Sequence, residues 1–412
     1  LKAYDAIVAG AGPAGSACAF FLGKAGFKVL LIDKARFPRD KTCADNKSWI
    51  CTSILKEMGL WKAFASIPRQ EITRMLFSSP GGQEITVRFN QGKIRTEGPH
   101  FNVRRKIFDN FLFQAAKKTR GVQTIEGFEV LRVLKKQGAV VGVEGCKLGK
   151  KTAGKPDKFF AKVVVGADGS GSAVARSAGI EPIVTSRHAF SARAYYSGVA
   201  CERQMVELHY LKGVTPGYFW IFPVDSGLCN VGVGLPTMIV AQKSIELDKL
   251  LEQIIASPQF SQRFIKARRV SPITQWGMTI TPQNRARCGD GFLLAGDAAA
   301  TAVAFAGEGC GPAMRSGKIA AQAIVAALRQ DDFSGKNLKK LYQDELWRVM
   351  EPENKAVSKL EFLTTRPRLF DFVIKRASRS KKLLSLAGEI ASDYQNASKL
   401  FHPSTALRLL FG

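Results

Sequence analysis

At 412 residues the chain exceeds the length at which one core usually keeps growing, so two interleaved units are expected. A hydrophobic content of 46% with 23% charged residues excludes a disordered chain. Lysine and arginine number 61 against 34 acidic residues, and the formal net charge of +27 points to phosphate-rich partners: anionic lipid surfaces, nucleic acid or an acidic redox protein. Composition does not choose among these, or between them and a solvated basic surface.

Lys2 and the apolar stretch to Leu22 resemble a secretory signal in composition, but their glycine spacing has a better explanation. Residues 4–9 suit a buried parallel strand and lead into Gly10-Ala11-Gly12-Pro13-Ala14-Gly15, then a helical stretch over 16–25. In such a turn Gly10 permits the tight bend, Gly12 admits a pyrophosphate against the backbone, and Gly15 allows close helix–strand packing. The helix N-terminus turns its unpaired N–H groups toward the phosphates. A second strand over 28–32 ends at Asp33, placed to accept hydrogen bonds from ribose hydroxyls. This motif alone does not separate FAD from NAD.

Next comes Arg36-Phe37-Pro38-Arg39-Asp40-Lys41-Thr42-Cys43-Ala44-Asp45-Asn46-Lys47-Ser48, followed by an excursion over 71–99. Val103-Arg104-Arg105-Lys106-Ile107-Phe108-Asp109 opens an amphipathic helix with a basic first turn, and Val130 lies in a strand over 129–133. Residues 145–158 read as an exposed basic hairpin loop. A strand over 163–165 enters Gly166-Ala167-Asp168-Gly169-Ser170-Gly171-Ser172. Residues 186–282 read as strand-rich, and within them Tyr218, Trp220 and Phe222 alternate onto one face of a strand, with Gly232-Val233-Gly234 downstream. Residues 291–294 lead into Ala295-Gly296-Asp297-Ala298-Ala299, then Ala306-Gly307-Glu308-Gly309-Cys310-Gly311-Pro312-Ala313-Met314. The remainder, 331–412, looks helical, and residues 366–382 carry seven basic residues against one acidic among apolar positions. Such an amphipathic segment suits an anionic membrane or, equally, a solvated helix face.

Eight cysteines at 18, 43, 51, 146, 201, 229, 288 and 310 show no Cys-x-x-Cys spacing, which argues against zinc or iron–sulfur ligation and for free thiols in a reducing, cytoplasmic setting. No uninterrupted apolar run of about 18 residues reads as a membrane span.

The Gly10–Gly15, Asp168-Gly169 and Gly296-Asp297 segments, in this order, resemble the three signatures of the FAD-dependent aromatic hydroxylase-type flavoprotein superfamily, which contains aromatic hydroxylases, flavin halogenases and geranylgeranyl reductases. The resemblance implies an α/β fold: a discontinuous Rossmann-like FAD-binding domain of the glutathione reductase/aromatic hydroxylase type (1–70, 100–185 and 283–330). It also implies an interleaved α+β antiparallel-sheet substrate domain (71–99 and 186–282) and a C-terminal helical region (331–412). By the same resemblance FAD is the cofactor, and the residues meeting it are Gly10, Gly12, Pro13, Ala14, Gly15, Asp33, Lys34, Arg39, Cys43, Ala44, Arg105, Val130, Asp168, Gly296, Asp297, Gly307, Gly309 and Cys310.

The 36–48 loop resembles the Phe-Pro-Arg-x-Lys-x-Cys-Gly loop of the geranylgeranyl reductase branch, and Tyr218-Phe219-Trp220-Ile221-Phe222-Pro223 with Gly232-Val233-Gly234 its lipid-cavity pattern. Ala44 and Asn46 depart from the family's glycines, and Pro216 is one place from its usual position. The branch implies saturation of isoprenoid double bonds of a lipid-linked chain by hydride from reduced FAD, with Cys43 and Tyr218 as candidate acids. It implies Tyr218, Trp220, Phe222, Gly232 and Gly234 as substrate-binding residues, no metal, and NAD(P)H or a ferredoxin-like protein as reductant. The alternative is a monooxygenase or halogenase acting on an apolar or aromatic small molecule. A halogenase's Trp-x-Trp-x-Ile element is replaced here by Tyr218, Trp220 and Phe222. Further expectations are a prenylated lipid or isoprenoid substrate, peripheral contact with the cytoplasmic face of an anionic membrane, and no nucleic-acid role.

Overall fold

The computed structural model describes residues 3–89, 98–149, 156–182, 188–279, 285–303 and 307–411. The strand Ala3–Ala9 lies between Asp157–Gly166 and Val29–Asp33, parallel to both. Ala6, Ile7, Val8 and Ala9 are all fully buried, which is why the strand reads as a continuous apolar run rather than an alternating one. Phe292–Leu294 and Val122–Glu126 extend this parallel sheet on either side, and Cys288–Gly289 closes one edge antiparallel. A hairpin of Phe128–Lys136 and Ala139–Lys147 joins through Asp157–Gly166.

Two helices, Pro13–Lys24 and Cys310–Gln330, cover one face of this sheet. They cross almost backbone to backbone, since a Cβ on Gly317 would lie 2.1 Å from the Ala14 carbonyl oxygen. That contact brings the N-termini of both helices, from widely separated parts of the sequence, to the same cleft.

The second large sheet runs in the order Arg268–Arg269, His188–Ser197, Leu228–Pro236, Tyr218–Pro223, Met205–His209, Arg74–Ser78, Glu84–Arg88, with Thr274–Thr279 also paired to His188–Ser197. Its pairings are antiparallel except for Met205–His209 with Arg74–Ser78. Along Tyr218–Pro223 the two-residue period divides the side chains. Phe219 and Ile221 pack with Leu247, Leu251 and Phe260 on one side, while Trp220 and Phe222 join Val87, Phe370, Val373 and Ile374 on the other.

A small sheet of Asn46–Lys47, His100–Asn102 and Gln70–Ile72 lies apart from the two large ones. The helices Asp344–Thr364, Pro367–Arg379, Lys381–Ser392 and Pro403–Phe411 make up most of the C-terminal region. No described helix is long and apolar enough to cross a membrane.

Two local expectations change. Residues 145–147 and 157–158 are strand, in register Gly145 with Asp157, so the basic loop is shorter than 145–158; residues 150–155 lie outside the described ones. The basic stretch 366–382 is not one helix, because Ser380 ends the first and its hydroxyl caps the second by accepting from Leu383 N at 3.4 Å.

Candidate active site

The cleft begins at the glycine turn. Gly10 has φ +96°, and a Cβ there would sit 2.3 Å from the Ala167 carbonyl oxygen, so only glycine allows the turn to lie against the 166–172 loop. A Cβ on Gly15 would lie 1.8 Å from the Gly10 carbonyl oxygen. Gly15 is thus a packing residue and, although the resemblance implied a cofactor contact, does not line the cleft. Gly12, Pro13 and Ala14 do, at the start of a helix whose first N–H groups point out of it. Asp33 buttresses this turn: its carboxylate accepts from Ala11 N at 2.6 Å and Ala35 N at 2.7 Å, and it faces the cleft beside Lys34 and Val130.

Asp168 accepts from Ala173 N at 2.7 Å and Val174 N at 3.2 Å, and burial raises its pKa. Its other oxygen is buried with no partner among the described residues. Gly296 N donates to Ser316 Oγ at 2.8 Å, which fixes the turn that presents Asp297, and Asp297 meets Lys41 at 3.4 Å. Beyond it Gly307, Gly309 and Cys310 line the cleft at the N-terminus of Cys310–Gln330; Ala306 lies outside the described residues.

At this end the 36–48 loop supplies a buried ionic cluster. Arg105 opens the helix Arg105–Lys117 but grips Asp109 through two 2.7 Å hydrogen bonds, and Arg39 reaches the same carboxylate at 2.6 Å. Burial disfavours the Asp109 anion, yet the two guanidiniums prevail and hold its pKa at about 2. Asp109 thus orients the Arg105 guanidinium through Nε and one Nη, while the residue lines the cleft.

Cys43 and Cys310, 267 positions apart, meet here as a hydrogen-bonded thiol pair. The bond from Cys310 holds the Cys43 pKa well below an ordinary thiol, against the effect of burial and with help from Lys47 and Arg105. Cys310, the donor, is raised. Asp45, fully buried at φ +71°, accepts from Tyr195 Oη at 2.7 Å, Asn230 Nδ2 at 2.8 Å and Arg105 N at 3.0 Å. Burial and then the Cys43 charge push its pKa up to about 6, and its own N–H donates to Cys43 Sγ at 3.4 Å. Across the cleft Glu308 is pushed to about 7 by burial, although Ser48 Oγ donates to it.

The cleft continues past this cluster as one cavity of about 890 Å³. Its far arm is lined by Tyr218, Trp220, Phe222, Met75 and Leu208, and by Glu361, Thr364, Thr365 and Tyr394 from the C-terminal region. A Cβ on Gly307 would lie 3.0 Å from Tyr218 Oη, so the phenol reaches the glycine turn, and burial and the Cys43 charge raise its pKa. Gly234 lines the cavity opposite Tyr218, whereas Gly232 does not: it lies behind Trp220, where a Cβ would be 2.3 Å from the indole.

Of the residues expected at the site, all but Gly15 and Gly232 line this cavity. Asp45, Lys47, Tyr195, Asn230, Glu308 and the helix end at Glu361, Thr364 and Thr365 were not anticipated. Asp45 and Lys47 stood in the 36–48 loop and Glu308 in the 306–314 segment, each a charge close to a cysteine; nothing local marks the others.

A glycine turn, an unpartnered buried carboxylate oxygen, a second Asp-bearing turn and a helix N-terminus along one elongated cleft match the phosphates, sugar hydroxyls and anionic ring end of FAD. The fold and cleft define an FAD-dependent oxidoreductase of the aromatic hydroxylase type. A family model described as "FAD binding domain" matches residues 3–350. Digeranylgeranylglycerophospholipid reductase 1 of Methanopyrus kandleri is 30% identical over 348 residues, 83% of this chain and 85% of that one. Menaquinone reductase of Mycobacterium tuberculosis is 27% identical over 94% of this chain and 91% of its own. The crystal structure of a geranylgeranyl bacteriochlorophyll reductase-like protein from Thermoplasma acidophilum superposes with a TM-score of 0.81 at 22% identity, over 97% of this chain and 98% of that one. The chain belongs to the geranylgeranyl reductase family of FAD-dependent oxidoreductases.

Proposed function

We propose that the protein saturates isoprenoid double bonds of a lipid-linked chain. The observation that carries this reading is the continuity of the cavity, from the FAD cleft past the Cys43–Cys310 pair into an arm walled by Tyr218, Trp220 and Phe222. An arm of that composition suits a long unbranched-to-methyl-branched hydrocarbon, and its aromatic walls exclude water from the reacting carbons.

Bound FAD, once reduced by NAD(P)H or a ferredoxin-like protein, supplies hydride. The protein's own task is the proton, because an unactivated trisubstituted alkene accepts hydride poorly without an acid sharing the barrier. Cys43 in its thiol form is the donor: the thiolate left when the proton departs is stabilised by Cys310, Lys47 and Arg105, so this thiol is a stronger acid than usual. The Asp45 backbone N–H, donating to the same sulfur, helps hold that thiolate, while the Asp45 carboxyl, titrating near 6, is held by Tyr195, Asn230 and Arg105 N. Tyr218, whose raised pKa keeps its proton, orients the chain at the glycine turn.

The test is mass spectrometry after dithionite-reduced holoprotein meets geranylgeranyl glycerophospholipid without oxygen. Two hydrogens gained per double bond support the proposal. An unchanged lipid, with an oxygenated or halogenated aromatic product formed when air and halide are admitted, replaces it by the monooxygenase or halogenase reading.

A further inference from the structure

One stretch of the cavity's wall comes to the surface in the C-terminal region. Thr365 both lines the cavity and is exposed, and it sits at the turn between Asp344–Thr364 and Pro367–Arg379. Beside this turn Phe362 is 45% exposed, and the Arg366 guanidinium stacks on it at 3.6 Å. Lys359, one turn earlier on the same face, lies over exposed Phe401 at 5.8 Å.

The helix Pro367–Arg379 continues this surface. Phe370, Val373, Ile374 and Ala377 are buried against the second sheet and the helix Lys381–Ser392. On the opposite face Arg368, Phe372, Lys375 and Arg379 stand at successive spacings of four, three and four, all exposed, with exposed Leu369 beside them. Arg368, Lys375 and Arg379 form no ion pair with any described residue, although the fold pairs many of its other surface charges. The helix is anchored from behind by Arg376 Nε, which donates to Leu409 O at 2.8 Å in the last helix, where Leu407 is 58% exposed.

We infer that this face seats on an anionic lipid bilayer and that the 365–366 turn, with the end of the helix before it, is the port through which a lipid chain passes directly from the bilayer into the cavity. Unpaired cations supply the attraction to anionic headgroups, and large apolar side chains among them insert below the headgroups. Nucleic acid or an acidic protein would use the cations but has no need of the exposed Phe362, Leu369 and Phe372 among them. The inference rests on the prenyl reductase reading only for what enters the port; the seating itself is independent of the chemistry.

The experiment is co-sedimentation of the holoprotein with vesicles of phosphatidylcholine alone or mixed equally with phosphatidylglycerol, across a salt series. The expected result is binding to the mixed vesicles that weakens with salt. Arg368→Gln and Lys375→Gln together should reduce it by about 25-fold, roughly five-fold per charge. Leu369→Asp with Phe372→Asp should reduce it further, in proteins that keep their flavin absorbance and melting temperature. Equal binding to neutral and anionic vesicles, or undiminished binding by these folded variants, overturns the inference. So does retention by duplex DNA without vesicle binding. Because vesicle binding needs no turnover, an inactive but membrane-seated protein would refute the reductase proposal and leave this one standing.

Discussion

Replacing Cys310 by alanine removes the donor to the Cys43 sulfur and leaves Lys47 and Arg105 where they are. A hydrogen bond to an ionised group is worth about 1.5–3 kcal/mol, and one pKa unit corresponds to about 1.4 kcal/mol. The Cys43 titration should therefore rise by roughly one to two units in Cys310→Ala. Iodoacetamide alkylation of Cys43 against pH, read peptide by peptide, measures this directly, because only the thiolate reacts. Peptide resolution matters, since Cys201 is also lowered by its bond with Cys229, whose sulfur is 3.0 Å away. Cys18 and Cys288, pushed by burial to about 12 and about 11, stay inert and serve as internal references. An unchanged midpoint for Cys43 would show that Cys310 does not polarise it, and the proton-donor scheme would fall.

Cys43→Ala should slow reduction of the lipid by a factor of about 10² to 10⁴ without loss of bound flavin, as expected for a missing general acid, whereas a drop under about three-fold would assign the proton elsewhere. Asp109→Ala leaves Arg105 buried without its partner and should cost about 3–5 kcal/mol in denaturant melts, with Asp109→Asn milder; no loss would mean the pair is solvated. The sign of the pH effect follows from Asp109 lying at about 2 when folded and about 4 when unfolded: its contribution is complete above pH 4, disappears as pH falls toward 2, and is absent from the Asn variant's acid titration. Gly232→Val drives a side chain into Trp220 and the Ala192 carbonyl and should destabilise by about 1–3 kcal/mol, with the tryptophan emission shifted; an unaltered melt contradicts the packing described.

How much of this was readable beforehand depended on how local each cause is. The glycine turn carries its reason in its own residues, since Gly10 needs φ +96° and Gly15 lies against Gly10. Alternation along 218–223 likewise put three rings on one side without further information. The cysteines show the opposite case. Their spacing gave no cluster, yet the helix crossing at Gly317 and Ala14 fixes the start of Cys310–Gln330 beside the 36–48 loop, and Cys43 gains its partner from 267 residues away. The family position of Gly232 suggested substrate contact, but its burial behind Trp220 is a consequence of sheet pairing that one strand does not reveal. Similarly, Glu361 and Thr364 look like ordinary helix residues until the C-terminal helices close over the second sheet and make them a cavity wall.

The most direct test of the central claim is anaerobic stopped-flow absorbance of the photoreduced holoprotein mixed with geranylgeranyl glycerophospholipid or with its fully saturated counterpart. Flavin absorbance near 450 nm should return without oxygen for the unsaturated lipid alone, and more slowly in Cys43→Ala. A flavin that stays reduced with both lipids until air is admitted would contradict the central claim.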